Sequence, residues 1–256
     1  MIISGSALTS YKHKLMLARQ EPPKNLVDQF KSNGYIKVPN ALSNETAELI
    51  TQHITKQKQW NLVFDHNGQH QDLNNLEVEQ WNSKQKQDLQ SIIYQQAAQG
   101  FQYHYETIPL YDIYHDNLLP DHFFNHIMEF LNQDATLSYF RQLLSAPHIS
   151  FADGQITRFR QGHFLNRHND DVDSKNRIAA FVINLTKEWR VDWGGALHLL
   201  DSNQNITKSF APSFNEINIF KIPVDHYVGY VSPFAAQDRI SITGWLRSGK
   251  NPKNKR

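Results

Sequence analysis

The chain of 256 residues contains no cysteine. That excludes a disulfide scaffold, zinc–thiolate centres and a cysteine nucleophile. Its charges nearly cancel, with 26 Lys and Arg against 25 Asp and Glu for a formal net charge of +1. A broad cationic footprint for nucleic acid is therefore missing. There is no long apolar run: the N-terminal segment Met1–Arg19 has only Met1-Ile2-Ile3 and Leu15-Met16-Leu17-Ala18 around Lys12, Lys14 and Arg19. These runs are too short for the core of a secretion signal or a membrane span, so the expected location is cytoplasmic. The basic end Lys250–Arg256 is expected to be a solvated tail. What the chain does have is 39% apolar residues, 12% aromatics and 13 His. The first two suffice for a sizeable core, and the His and carboxylate side chains are left to carry any metal chemistry.

The first half reads as helices with one or two strands. Leu26, Val27 and Phe30 fall at helical spacing and Gly34 stands where that helix would end. Tyr35–Val38 reads as a short strand, and Ser43 as the cap of a helix carrying Ala47, Leu49, Ile50 and Ile54. A polar loop is expected over His66–Asn75, then a helix through Leu89, Ile92, Ile93 and Ala97 to Gly100. Phe101, Tyr103 and Tyr105 alternate with polar residues at strand period, and Tyr103 and Tyr105 are expected to be packing aromatics. Two short helices follow over Asp121–Leu131 and Thr136–Leu144, the second capped by Asp134.

From residue 150 the period changes to two. Strands are predicted near Gln155–Arg160, Leu165–Asp170, Arg177–Leu185, Ala196–Leu200, Glu216–Ile222, His226–Val231 and Arg239–Leu246. Turn signals between them, such as Gly194-Gly195 and Pro233, suit an antiparallel barrel or jelly roll. With no linker between the halves, one domain over 1–256 is expected, with 1–149 as mostly helical support and 150–248 as the β-core holding the chemistry.

The sharpest local signal is His168-Asn169-Asp170. On a strand, residues two apart share a face, so an imidazole and a carboxylate would converge. His226, which opens a later strand after Pro223-Val224-Asp225, is the best third ligand. Two His and one carboxylate on one face are the signature of a non-haem Fe(II) oxygenase site. On the last strand, Arg239 and Ser241 share a face opposite Ile240 and Ile242. A guanidinium turned into a barrel needs an anion. A dicarboxylate cosubstrate would supply one, held by Arg239 and the Ser241 hydroxyl.

The run Gly162–Asp170, the strand Arg177–Leu185 with Trp189, Gly194-Gly195, His226 and Arg239–Trp245 resemble the Fe(II)/2-oxoglutarate-dependent dioxygenases of the prolyl-4-hydroxylase-like group. The resemblance spans roughly residues 150–247 and extends loosely to Phe30–Leu42. It implies a mainly β fold with α, a double-stranded β-helix (jelly roll) core braced by N-terminal helices. It also implies His168, Asp170 and His226 as iron ligands, and Arg239 with Ser241 as the clamp for the distal carboxylate of 2-oxoglutarate. In two places the chain departs from many relatives. Phe159 stands where they have a tyrosine nine residues before the first histidine ligand, and Asn184 where they have another. Asn184 retains a polar group for the cosubstrate, while Phe159 is expected to pack the pocket.

The implied reaction couples oxidative decarboxylation of 2-oxoglutarate to hydroxylation of an unactivated C–H bond, with O2 as partner and ascorbate as auxiliary reductant. It needs no protein general base, so no catalytic residue beyond the metal ligands is assigned. Asp170 favours hydroxylation over halogenation, for which relatives carry a small residue there. A prolyl residue in a protein is the first candidate substrate, and a free amino acid or small metabolite the alternative. The loops expected to meet it are His66–Asn75, Pro109–Pro120 and Asp171–Asn176. Neither a membrane nor a nucleic acid is an expected partner. A non-catalytic jelly-roll binding module is the competing reading from another class.

Overall fold

The computed structural model describes residues 15–253. The apolar run at residues 1–3 and the end of the basic tail lie outside the described residues. The first half runs α1 (Lys24–Asn33), β1 (Tyr35–Pro39), α2 (Asn44–Thr55), β2 (Asn61–His66), β3 (Gln69–Asn74), α3 (Asn75–Glu79), α4 (Ser83–Ala97), β4 (Tyr103–Ile108), α5 (Leu110–His115), α6 (Phe123–Asn132) and α7 (Asp134–Leu143). The second half is strands: β5 (Ile149–Ala152), β6 (Gln155–Phe159), β7 (Phe164–His168), β8 (Arg177–Asn184), β9 (Leu197–Leu200), β10 (Ile206–Phe210), β11 (Glu216–Lys221), β12 (His226–Val228) and β13 (Arg239–Ser248).

Local chemistry sets several of these boundaries. Gly34 takes a left-handed conformation (φ 73°) and its N–H closes α1 on the Phe30 carbonyl. The Ser43 hydroxyl accepts from the Thr46 N–H at 3.1 Å and caps α2. Asp134, expected as a cap, is instead the first residue of α7, and the capping position belongs to Gln133. The stretch expected as a polar loop over His66–Asn75 is mostly strand: β2 and β3 form a hairpin turned by Asn67 and Gly68, at φ 55° and 78°. Two successive positive φ values match the right-handed twist of the flanking strands. Part of the Pro109–Pro120 stretch is likewise regular, as α5.

The strands form one antiparallel sheet in the order β1-β11-β8-β13-β6-β4-β7-β12-β9-β10, curled into a nearly closed barrel. Tyr35 of β1 and Phe210 of β10, from the two ends of that order, meet edge to face at 6.0 Å. Side-chain alternation then divides the interior in two. Phe181 and Ile183 of β8 and Ile242 and Leu246 of β13 point outward and pack with Ile50, Phe124, Ile127 and Phe140 of the helices. Each such buried side chain contributes roughly 1.5–3 kcal/mol through apolar area removed from water. Ala180 and Val182 of β8 point inward and join Leu197, Phe220 and Val228. The expected double-stranded β-helix braced by helices is thus the observed architecture. The bracing leaves the inward positions of β13 free to carry polar groups.

Candidate active site

A cavity of about 230 Å³ opens inside the barrel, and His168, Asp170, His226 and Arg239 line it together. His168 ends β7 and His226 begins β12, and the antiparallel register sets them opposite each other, with ring centroids 4.1 Å apart. The His168 Nδ1 lies 2.9 Å from the Asn166 carbonyl and the His226 Nδ1 lies 2.8 Å from the Val224 carbonyl. A carbonyl only accepts, so both Nδ1 atoms carry hydrogen and each Nε2 keeps its lone pair. Those Nε2 atoms stand 3.5 and 3.4 Å from the two oxygens of Asp170.

Asp170 reaches this position by a different route from the one the sequence suggested. The strand ends at His168 instead of continuing to Asp170, and Asp170 turns at φ 62° in the left-handed region. A non-glycine residue there costs on the order of 1 kcal/mol or more and persists only where its surroundings hold it. Here the Trp245 indole N–H donates to Asp170 Oδ2 at 2.9 Å, and Arg177 Nη1 donates to the Asp170 carbonyl at 3.0 Å. Arg177 in turn lies 3.6 Å over the Trp245 ring. Burial alone would raise the Asp170 carboxyl, but the His226 and His168 rings that it faces and the Trp245 N–H outweigh burial and bring it down to about 2. Burial, reinforced by His226, lowers His168 to about 4. At neutral pH the Asp170 carboxylate is ionised and His168 is neutral, and the three candidate ligand atoms lie within 4.8 Å of one another. Such a donor set fits a single Fe(II).

Arg239 is 2% exposed, and burial lowers its pKa to about 10, which leaves it charged. Its guanidinium lies 4.9 Å from the Phe159 ring, and its Nε is buried without a hydrogen-bond partner. No ion pair to it is found among the described residues. A buried cation facing a cavity without an anion fits the carboxylate of an acidic cosubstrate. Ser241 and Asn184, proposed from sequence to help it, share the inward face and pair across β13 and β8 but do not line the cavity. The Ser241 hydroxyl meets Thr157 Oγ1 at 2.9 Å, and the Asn184 amide donates to the Glu216 carbonyl at 3.3 Å.

Sequence reasoning passed over several cavity residues. Gln155 and Thr157 stand four and two places before Phe159 on β6, so strand period alone would have put them on its face. Phe101, Tyr103 and Tyr105 also line the cavity, although two of them were read as packing and all three precede the β-core of residues 150–248. None of the three loops expected to meet substrate lines it.

Residues 154–247 match the sequence profile of the 2OG-Fe(II) oxygenase superfamily. Over that segment the chain is similar to the 2OG-Fe(II) oxygenases. Over 87 residues it is 33% identical to mouse (Mus musculus) Prolyl 3-hydroxylase OGFOD1, an alignment covering 31% of this chain and 15% of that protein. Solved structures share the fold. A 2OG-Fe(II) oxygenase-family oxidoreductase from Burkholderia pseudomallei superposes with a TM-score of 0.56 at 14% identity, over 89% of this chain and 92% of that one. A Trichoplax adhaerens prolyl hydroxylase in complex with a hypoxia inducible factor oxygen degradation domain peptide fragment gives 0.54 at 15% identity, over 87% of each chain. The Pseudomonas putida prolyl-4-hydroxylase gives 0.50 at 17% identity, over 88% of this chain and 98% of that one.

Proposed function

We propose that this chain is an Fe(II)- and 2-oxoglutarate-dependent dioxygenase that hydroxylates an unactivated C–H bond, with a prolyl residue of a protein as its substrate. The observation that carries the reading is one cavity holding both an unpaired buried guanidinium, Arg239, and a His168–Asp170–His226 cluster whose tautomers are fixed. His168, Asp170 and His226 would hold the metal. Arg239 would take the distal carboxylate of the cosubstrate, with Ser241 and Asn184 supporting that end of the barrel from one strand pair away. Bound Fe(II) with 2-oxoglutarate would supply the oxidising chemistry, with O2 as the oxidant consumed, and ascorbate would keep the metal reduced between turnovers.

The chain's own part is to orient and to exclude water. Trp245 holds the Asp170 carboxylate in place and Arg177 its backbone carbonyl. Arg177 also brings a buried, unpartnered Nε to the cavity, a donor for a substrate carbonyl. Aromatic faces at Phe101, Tyr103 and Trp245 suit a compact, apolar ring such as that of proline. We take residues 15–253 as one working unit, since β4 supplies one wall of a cavity whose ligands come from later strands.

The substrate class is tested by measuring succinate release with size-fractionated cell lysate, Fe(II), 2-oxoglutarate and ascorbate. Activity in the macromolecular fraction, with a 16 Da mass gain on a proline-containing peptide, is expected. Activity confined to the small-molecule fraction would assign a free amino acid or metabolite instead.

A further inference from the structure

The relatives' phenol is missing from position 159, yet a phenol stands against that position. Tyr105, on β4, stacks its ring on Phe159 with centroids 5.0 Å apart and planes within 15°. The same Phe159 ring meets the Arg239 guanidinium at 4.9 Å. Tyr105 therefore stands beside the path from the Arg239 end of the cavity to the His168–Asp170–His226 cluster, and it lines that cavity. Its strand lies outside the segment that matches the family profile.

The polar end of Tyr105 is also held. The Thr107 hydroxyl contacts both the Ile156 carbonyl and Gln155 Oε1 at 3.0 Å, which ties the Gln155 side chain to β4. The Gln155 amide N–H then donates toward the Tyr105 oxygen at 3.4 Å. An oxygen that accepts from the amide keeps its own proton for another acceptor. Burial pushes the phenol pKa up, so that proton stays in place at neutral pH.

We infer that Tyr105 is a cosubstrate-binding residue, whose hydroxyl donates a hydrogen bond to an oxygen of 2-oxoglutarate and restores from β4 the phenol that β6 lacks. This rests on the dioxygenase reading above. Tyr105→Phe removes only the hydroxyl and retains the ring that stacks on Phe159.

The test is calorimetric titration of 2-oxoglutarate into the full chain loaded with redox-inert Mn(II), for the wild type and the variant. Manganese affinity and the unfolding midpoint are measured alongside. The wild type is expected to bind. Tyr105→Phe is expected to bind about tenfold to a hundredfold more weakly, the loss of one hydrogen bond to a charged group, with manganese affinity and midpoint unchanged. Equal affinity in the two proteins would overturn the inference while leaving the dioxygenase reading intact. So would a variant in which only the substrate KM moves, because the phenol would then face the substrate. A wild type that binds manganese but no 2-oxoglutarate would overturn the dioxygenase reading itself, and this inference with it.

Discussion

His168 and His104 are both imidazoles whose pKa burial lowers to about 4, yet of the two only His168 stands in a cluster that could hold a metal ion. His168 donates from Nδ1 to a carbonyl and turns a free Nε2 toward Asp170. His104 packs 4.3 Å from His163, and the Nδ1 of each is buried without a partner. Burial also pulls His163 well below its ordinary value. His104 and His163 therefore fold as neutral rings and protonate on unfolding near pH 6.5. Since the unfolded chain then binds more protons, the stability that neutral His104 contributes is complete above about pH 6.5 and falls as the pH drops toward its folded value near 4, by on the order of 1.4 kcal/mol per pH unit; His163 acts in the same direction. Denaturant unfolding between pH 7 and 4.5 is expected to show a shallower dependence in His104→Asn than in the wild type, whatever the absolute stability of the variant. Parallel curves would show that His104 does not titrate on unfolding.

Elements decide where these side chains point, and β13 shows it most clearly. Its odd-numbered residues Arg239, Ser241, Thr243 and Trp245 face the barrel interior, while Ile242 and Leu246 face the helices. Gly244 stands between two of the inward residues, and a Cβ there would come within 2.1 Å of the Asp153 carbonyl and 2.8 Å of Phe181. Backbone on one side leaves no room to yield. Gly244→Ala is expected to destabilise the fold by about 3 kcal/mol or more, read as a lower denaturation midpoint at unchanged m-value; a loss under about 0.5 kcal/mol would mean that β13 and β5 separate at little cost. The alternation on β13 was legible in the sequence because a strand buried on both faces still sorts aliphatic from polar residues. So were His226 and Arg239, placed at the start of strands by preceding turns. The β2–β3 hairpin was not, because β3 is polar and mostly exposed, although the buried run Leu62-Val63-Phe64 and the turn Asn67-Gly68 are both local strand and hairpin signals. Nor was the turn at Asp170, since its left-handed backbone depends on Trp245 and Arg177, about 75 and 7 residues away, as the indole and carbonyl bonds record.

At the scale of the whole molecule, the two halves are less separate in function than in composition. The helices brace the outward face of the sheet, as their apolar periodicity implied, and no helix among the described residues is long and apolar enough to cross a membrane. But β4 pairs with both β6 and β7 and brings Tyr103 and Tyr105 to the same cavity as the later strands. That pairing is non-local and left no mark in either segment alone. The near-zero net charge concealed the feature that matters most, a buried cation at Arg239 with no anion beside it among the described residues. The central claim is that this cation and the His168–Asp170–His226 cluster grip one cosubstrate from its two ends. Anaerobic addition of Fe(II) and then 2-oxoglutarate to the intact chain tests it most directly. The wild type is expected to develop the weak visible charge-transfer absorption of a chelated 2-oxo acid, saturating with cosubstrate. His168→Ala is expected to lose the band, and Arg239→Leu to need far more 2-oxoglutarate to reach it. A folded wild type that binds Fe(II) without developing the band, or an Arg239→Leu variant that saturates as the wild type does, would contradict the account.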